Sequence, residues 1–217
     1  MSDPAVIYDP PPGLEILHAD AALVVAVKPA GLLAVPGRGA HLADCLASRV
    51  QACFPDARIV HRLDMATSGL MTFARGREAE RRLSIAFQRR EVHKEYEALV
   101  AGRMAEPTGR IDLPLMADWP NRPRQKVDLD RGKPALTCFR VLAVEPGGAT
   151  RLALTPMTGR SHQLRVHLAA IGHPILGDAL YAPPETRAPR LMLHATGLAL
   201  PHPASGEVLE FFSPAPF

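Results

Sequence analysis

Proline occupies 22 of the 217 positions, roughly twice its usual share. Each one fixes φ and removes a backbone donor, so it breaks helix interiors and is confined to turns, strand starts and sheet edges. A chain interrupted this often is steered toward many turns and short elements rather than long helices. Hydrophobic residues at 47% and charged residues at 22% still supply an ordinary globular core. The length suits one large domain, or one domain with two lobes.

The elements follow from spacing. Ala22 to Val27 is a continuous apolar run, read as a buried strand that ends in the turn Lys28-Pro29-Ala30-Gly31. From His41 to Phe54, Leu42, Cys45, Leu46, Val50 and Cys53 fall on one helical face that Pro55 stops, which places both cysteines in the core. A second helix over 77–90 has Leu83, Ala86 and Phe87 inside. Arginines and glutamates surround it, either as a solvated paired face or as a basic rim. Lys94 to Val100 alternates as a strand, with Tyr96 on the face of Lys94 and Ala98. Ala135 to Val144 and Ala149 to Met157 read as strands paired around Pro146-Gly147-Gly148. Ser161 to Ile171 reads as a helix capped by Ser161 and closed by Gly172, with Arg165 on its polar side. Leu191 to His194, Leu198 to Leu200 and Val208 to Phe212 are strand-like, the last as an edge. Met1 to Gly13 reads as an arm, docked or frayed.

Several function classes drop out. The longest apolar run, Ala21 to Val27, is too short to cross a bilayer, and the first residues show no signal-peptide core. Three widely spaced cysteines make no disulfide framework or zinc ribbon, so a reducing cytoplasm is expected. His162 and His167 are five apart, not the four that would put two zinc ligands on one helical face. There is no nucleophile elbow. Net charge is only +3, and 21 of the 25 cations are arginine. Arginine suits phosphate and base stacking, but GC-rich coding sequence raises its share as well. Trp119, the lone tryptophan, sits among Arg122, Arg124 and Lys126. It suits either base stacking or pinning a loop to the core.

The densest chemistry is His61-Arg62-Leu63-Asp64-Met65-Ala66-Thr67-Ser68-Gly69. Ile59-Val60 leads in and Leu70 to Ala74 leads out, which predicts two strands joined by a tight polar loop with Asp64 near its apex. On residue types alone, Asp64 either bonds the N–H groups of a turn or acts as a catalytic acid. Glycoside hydrolysis needs a second carboxylate, for which Asp44, Asp56 and Asp178 stand open.

The pattern His61-Arg62-Leu63-Asp64-x-x-Thr67-Ser68-Gly69 resembles the signature of the RluA-type pseudouridine synthases. Lys28-Pro29-x-Gly31-Leu32, Lys94-x-Tyr96 and Gly159-Arg160-Ser161-His162-Gln163-Leu164-Arg165-Val166-His167 resemble that family's other motifs, in order, in a match running from about Leu14 to the end. The resemblance implies an α+β fold, a mainly antiparallel twisted sheet with flanking helices in two lobes around a catalytic cleft. It implies one catalytic domain over 14–217 with no separate N-terminal RNA-binding module. The implied reaction breaks the C1′–N1 bond of uridine in RNA and remakes it to C5, without redox change, cofactor or metal. Asp64 is implied as the catalytic acid, Tyr96 as the ring stacked on the flipped uracil, and Arg165 as the partner of Asp64. Arg62 is implied to fill the RNA stack, with His61 and Leu164 completing the substrate-binding set and the Lys28 turn forming a wall of the cleft. Met65-Ala66 and the stretch Asp118 to Lys126 are closest to the family's dual-specificity members. That implies uridine 32 of tRNA anticodon loops and uridine 746 of 23S rRNA as targets, tRNA and large-subunit rRNA as partners, and a cytoplasmic monomer away from membranes. The alternative is a non-catalytic RNA-binding chaperone, which would have no need of Asp64, Tyr96 and Arg165 together.

Overall fold

The computed structural model describes residues 8–217. In chain order the strands and helices are β1 (Glu15–Ala19), β2 (Leu23–Lys28), α1 (Leu46–Cys53), β3 (Ala57–Ile59), β4 (Ser68–Arg75), α2 (Gly76–Arg89), β5 (His93–Val100), β6 (Thr108–Asp112), β7 (Leu115–Ala117), β8 (Gln125–Val127), β9 (Leu136–Val144), β10 (Thr150–Pro156), α3 (Gln163–Ala170), β11 (Leu193–Pro201) and β12 (Val208–Phe212). Ten strands make one mixed sheet in the order β1-β2-β4-β11-β5-β10-β9-β6, with β3 also on β4 and β12 also on β11. Strands β7 and β8 form a separate hairpin. The fold is α+β, as the resemblance implied. Among the described residues no helix is long and apolar enough to cross a membrane.

Strand β4 is the centre of the molecule. Its sequence, Ser-Gly-Leu-Met-Thr-Phe-Ala-Arg, is buried at every position but the last, because it is covered on both faces. Met71 and Phe73 pack with Leu46 and Val50 of α1. Leu70 and Ala74, pointing the other way, pack with Leu83 and Ala86 of α2 and Leu198 and Leu200 of β11. A strand covered on both faces loses the apolar–polar alternation of an edge. A third core joins Ala98, Leu152, Leu154 and Leu193 to Leu164 and Leu168 of α3. The two halves of the sheet meet where β4 and β11 pair in parallel, His194 opposite Ser68 and Ala195 opposite Gly69. All other strand pairs among the described residues are antiparallel.

Four local expectations need correction. The helix expected from His41 begins at Leu46, after a 3-10 turn over Ala40–Leu42. Cys45 is its N-cap, its sulfur accepting the Ser48 N–H at 3.3 Å, while the Asp44 carboxylate is taken by Arg49. Cys45 is buried, but Cys53, at the last turn, is exposed rather than in the core. The helix expected from Ser161 begins at Gln163, and Ser161 does not cap it. Gln163 instead turns its own amide oxygen back to accept the Arg160 N–H at 3.0 Å and the Thr158 hydroxyl at 2.7 Å. Arg165 is not on a polar face, because α3 is buried along Gln163 to Leu168.

Of the arm expected over 1–13, residues 1–7 lie outside the described residues. The remainder is docked on α1. Tyr8 donates its hydroxyl to the Asp44 carbonyl at 2.9 Å, and Arg49 donates to the carbonyls of Pro11 and Gly13 at 2.8 and 2.7 Å.

Candidate active site

The loop between β3 and β4 is held from behind. Thr67 N–H bonds the Asp64 carbonyl at 3.1 Å and Gly31 N–H bonds the Met65 carbonyl at 2.9 Å. Lys28, fully buried, donates to the same Met65 carbonyl at 2.9 Å and to those of Leu32 and Pro29 at 2.7 and 2.9 Å. Burial draws its ammonium down to about 7 against the attraction of Asp64. The Lys28 turn is therefore a brace behind the loop and not, as the resemblance implied, a wall of the cleft. Beside it, Ser68 Oγ meets His194 Nδ1 at 2.7 Å and also accepts from Arg190. This Ser–His pair is buried and stays out of the cleft lining.

In front of the loop lies a cleft of about 730 Å³, lined by His61, Arg62, Asp64, Tyr96, Leu164 and Arg165 among others. That volume suits a small organic ligand, and the structure brings every expected site residue to it. Asp64 Oδ2 is 3.4 Å from Arg165 Nη1 and 3.8 Å from His162 Nε2. Arg165 is 5% exposed. Its Nε and Nη2 close on Asp178 at 2.8 and 2.7 Å, and Asp178 also accepts the Leu180 and Tyr181 N–H groups. Burial alone would lower the Arg165 guanidinium, but Asp178 and then Asp64 raise it, so it stays charged. Tyr96 projects from β5, and burial, followed by the negative charge of Asp64, pushes its phenol up. It is a neutral ring at working pH.

His61 sits where β3 has stopped pairing, and its Nε2 accepts the free Thr72 N–H of β4 at 2.9 Å. Its ring stacks on Phe87 at 4.7 Å. Burial, and then Lys94, take its pKa down to about 3, which leaves it neutral with the proton on Nδ1. Leu164 is buried against the third core, and Arg62 is exposed at the cleft edge. Arg90, Lys94 and Arg160 also line the cleft.

The open carboxylates are accounted for. Asp178 is bound to Arg165, Asp44 to Arg49 and Asp56 to Arg75, and none of the three lines the cleft. Its other lining acid is Glu91, an exposed residue paired loosely with Arg89 at 3.9 Å.

Sequence reasoning missed two residues. His162 was read only against a zinc pattern, although it lies inside the motif around Arg165. It diverges from His167, whose ring is buried on Thr137 and Leu113. Tyr181 carried no sequence signal. Its hydroxyl accepts the Gln125 N–H of β8 at 2.7 Å and contacts His162 Nδ1 at 2.7 Å, and its ring faces Arg165 and Arg124 at 5.1 and 5.5 Å. Trp119, at the hairpin tip, is 60% exposed. Arg122 covers one face of the indole at 3.6 Å, so the ring is not pinned to the core.

With this geometry in place, residues 22–170 match the protein family described as RNA pseudouridylate synthase. A relative from Pasteurella multocida (strain Pm70), named dual-specificity RNA pseudouridine synthase RluA, is 51% identical over 216 residues, covering 98% of this chain and 99% of that protein. A relative of the same name from Escherichia coli (strain K12) is 50% identical over 214 residues, covering 97% and 98%. The solved structure of human RNA pseudouridylate synthase domain containing 1 superposes with a TM-score of 0.77 at 29% identity, covering 100% of this chain and 87% of that one. An agreement this long, on a fold that gathers the matching motifs at one cleft, makes the chain a member of the RNA pseudouridylate synthase family and its chemistry that of an isomerase.

Proposed function

We propose that Asp64 is the catalytic carboxylate of a uridine-to-pseudouridine isomerisation carried out on two RNAs, at uridine 32 of tRNA anticodon loops and uridine 746 of 23S rRNA. The observation that carries this reading is one cleft carboxylate, Asp64, set beside a buried guanidinium and facing a neutral tyrosine, while the other lining acid, Glu91, is exposed and paired with Arg89. Isomerisation needs one anionic group at the anomeric centre, as nucleophile or as base, and a pocket for the freed base. Hydrolysis needs a second carboxylate and a placed water, and the candidates for that carboxylate are tied up elsewhere. Two substrates are supported by relatives bearing the dual-specificity name at about 50% identity over nearly the whole chain.

In this reading the target uridine is extruded from its stack, at an energetic cost that loops keep low. Exposed Arg62 takes the vacated place in the stack, and Tyr96 stacks on the uracil over the Leu164 floor. Arg165 keeps Asp64 ionised and aimed. Lys94, Arg90 and Arg160 meet phosphates at the rim, and the Trp119 hairpin offers a stacking surface beside it.

The test is tritium release from 5-[³H]-uridine-labelled tRNA and 23S rRNA transcripts, with wild type beside Asp64→Asn. Release by wild type alone, at one loop uridine in each RNA, is the expected result. An active Asp64→Asn enzyme overturns the assignment of the carboxylate. Release from only one of the RNAs overturns the dual specificity. Tight binding of both RNAs without release supports the chaperone.

A further inference from the structure

We propose that His162 is the base that removes the C5 proton in the second half of the reaction, a role that rests on Asp64 being the group that addresses C1′. When C5 bonds to C1′, it carries both the ribose and its original hydrogen. The hydrogen leaves as a proton, and its bonding pair becomes the C5=C6 double bond. The electrons of the N1=C6 bond return to N1, which takes up a proton. One proton leaves carbon and one arrives at nitrogen, so the step balances without oxidant or co-reactant.

Geometry limits which group can do this. C5 is by then one bond from the carbon that Asp64 addressed, so the base must stand within a few ångströms of that carboxylate. Arg165 is a guanidinium with no lone pair to offer. Tyr96 is a protonated phenol. The His61 lone pair is spent on the Thr72 N–H. His162 Nε2 stands 3.8 Å from Asp64 Oδ2 and makes no hydrogen bond among the described residues.

The rest of the ring is fixed for the purpose. Nδ1 is 2.7 Å from the Tyr181 hydroxyl, which is itself anchored by the Gln125 N–H. In the tautomer a base requires, Nδ1–H donates to the second lone pair of the Tyr181 oxygen and Nε2 is the free acceptor beside Asp64. Burial lowers the His162 pKa, with Asp64 and Asp178 opposing and Arg165 and Arg62 adding to the fall, so the ring is neutral before it accepts. The His162 backbone is held at φ 53°, the left-handed region. Residues other than glycine adopt it uncommonly, and here it sets the His162 ring at the entry to α3.

The experiment compares single turnovers of wild type and His162→Gln on two RNAs, one with uridine at the target and one with 5-fluorouridine. Fluorine cannot leave C5 as a cation, so the fluorinated RNA stops at the C5-linked adduct and reads only the steps before proton removal. His162→Gln is expected to form that adduct at a rate within about twofold of wild type. On uridine RNA its conversion should fall by about 100-fold or more, and deuterium at C5 should now slow it. Equal losses on both RNAs would mean that His162 merely positions Asp64, and no loss on either would mean that it is dispensable; both results overturn the proposal. Should His162→Gln fail to fold, His162→Asn gives the same comparison. Failure of the underlying reading shows separately, as an Asp64→Asn enzyme that still converts uridine RNA.

Discussion

Asp178 holds Arg165 through two parallel bonds, 2.8 and 2.7 Å long. The contact from Arg165 to Asp64 is longer, at 3.4 Å. The guanidinium is thus gripped by a carboxylate outside the cleft and only offered to the one inside it. Removing one partner of a buried pair strands the other. Asp178→Asn should therefore lower unfolding free energy by about 3 kcal/mol and also reduce tritium release, although residue 178 does not line the cleft. Urea titration and the release assay check the two effects. Normal turnover in a destabilised variant would mean that α3 alone positions Arg165.

Gly69 lies at the parallel joint between β4 and β11, with φ at +117°. A Cβ added there would come within 2.3 Å of the Ala195 carbonyl oxygen and 2.4 Å of its nitrogen. Both are backbone atoms in a central strand, so neither can swing aside. Gly69→Ala should destabilise the protein by about 4 kcal/mol or more. The expected result is insoluble expression or a loss of thermal midpoint far greater than that of Gly147→Ala, whose added Cβ meets nothing within 4 Å.

The same joint shows what the sequence could convey. The Asp64 loop was legible because two apolar runs frame a polar, glycine-ended stretch, and strand pairing of the runs follows from that contrast. Helix α2 was legible from its one-sided apolar face. Arg165 and Lys28 were not, because residue type assigns charged side chains to the surface. Their burial is decided by partners that the chain brings in from elsewhere: Asp178, thirteen residues on, and the Met65 carbonyl, 37 residues on. The expected cap of α3 failed for a related reason: Ser161 does not cap it, and the Gln163 amide oxygen accepts the Arg160 N–H and the Thr158 hydroxyl instead.

Trp119 is the only tryptophan in the chain, so its emission reports on the β7–β8 hairpin alone. One indole face carries Arg122 and the ring is 60% exposed. An unpaired loop base stacked on it should quench that emission strongly as an anticodon stem–loop RNA is titrated. A fully paired duplex of equal length should quench it little. Trp119→Ala should raise KM for the stem–loop by about tenfold, the scale of one lost base–aromatic stack. Saturable binding without quenching, together with an unchanged KM, would remove the hairpin from the RNA interface.

Lys28 gives the fold a specific pH dependence. Its ordinary pKa is 10.5 and burial lowers it to about 7 in the folded protein. Below that value both states hold the proton, and the folded state bears the whole burden of a buried ammonium. Between the two values the unfolded chain still holds the proton and the folded chain releases it, so stability rises with pH across that window. In Lys28→Met the titrating group is gone, and the orphaned carbonyls of Pro29, Leu32 and Met65 destabilise it equally at every pH. The unfolding free energy of wild type minus that of Lys28→Met should therefore grow by more than about 1 kcal/mol from pH 7 to pH 9. Paired urea titrations at the two pH values measure it. A flat difference would show that the three carbonyls hold Lys28 charged throughout, with the loop beside Asp64 braced by an ammonium rather than an amine.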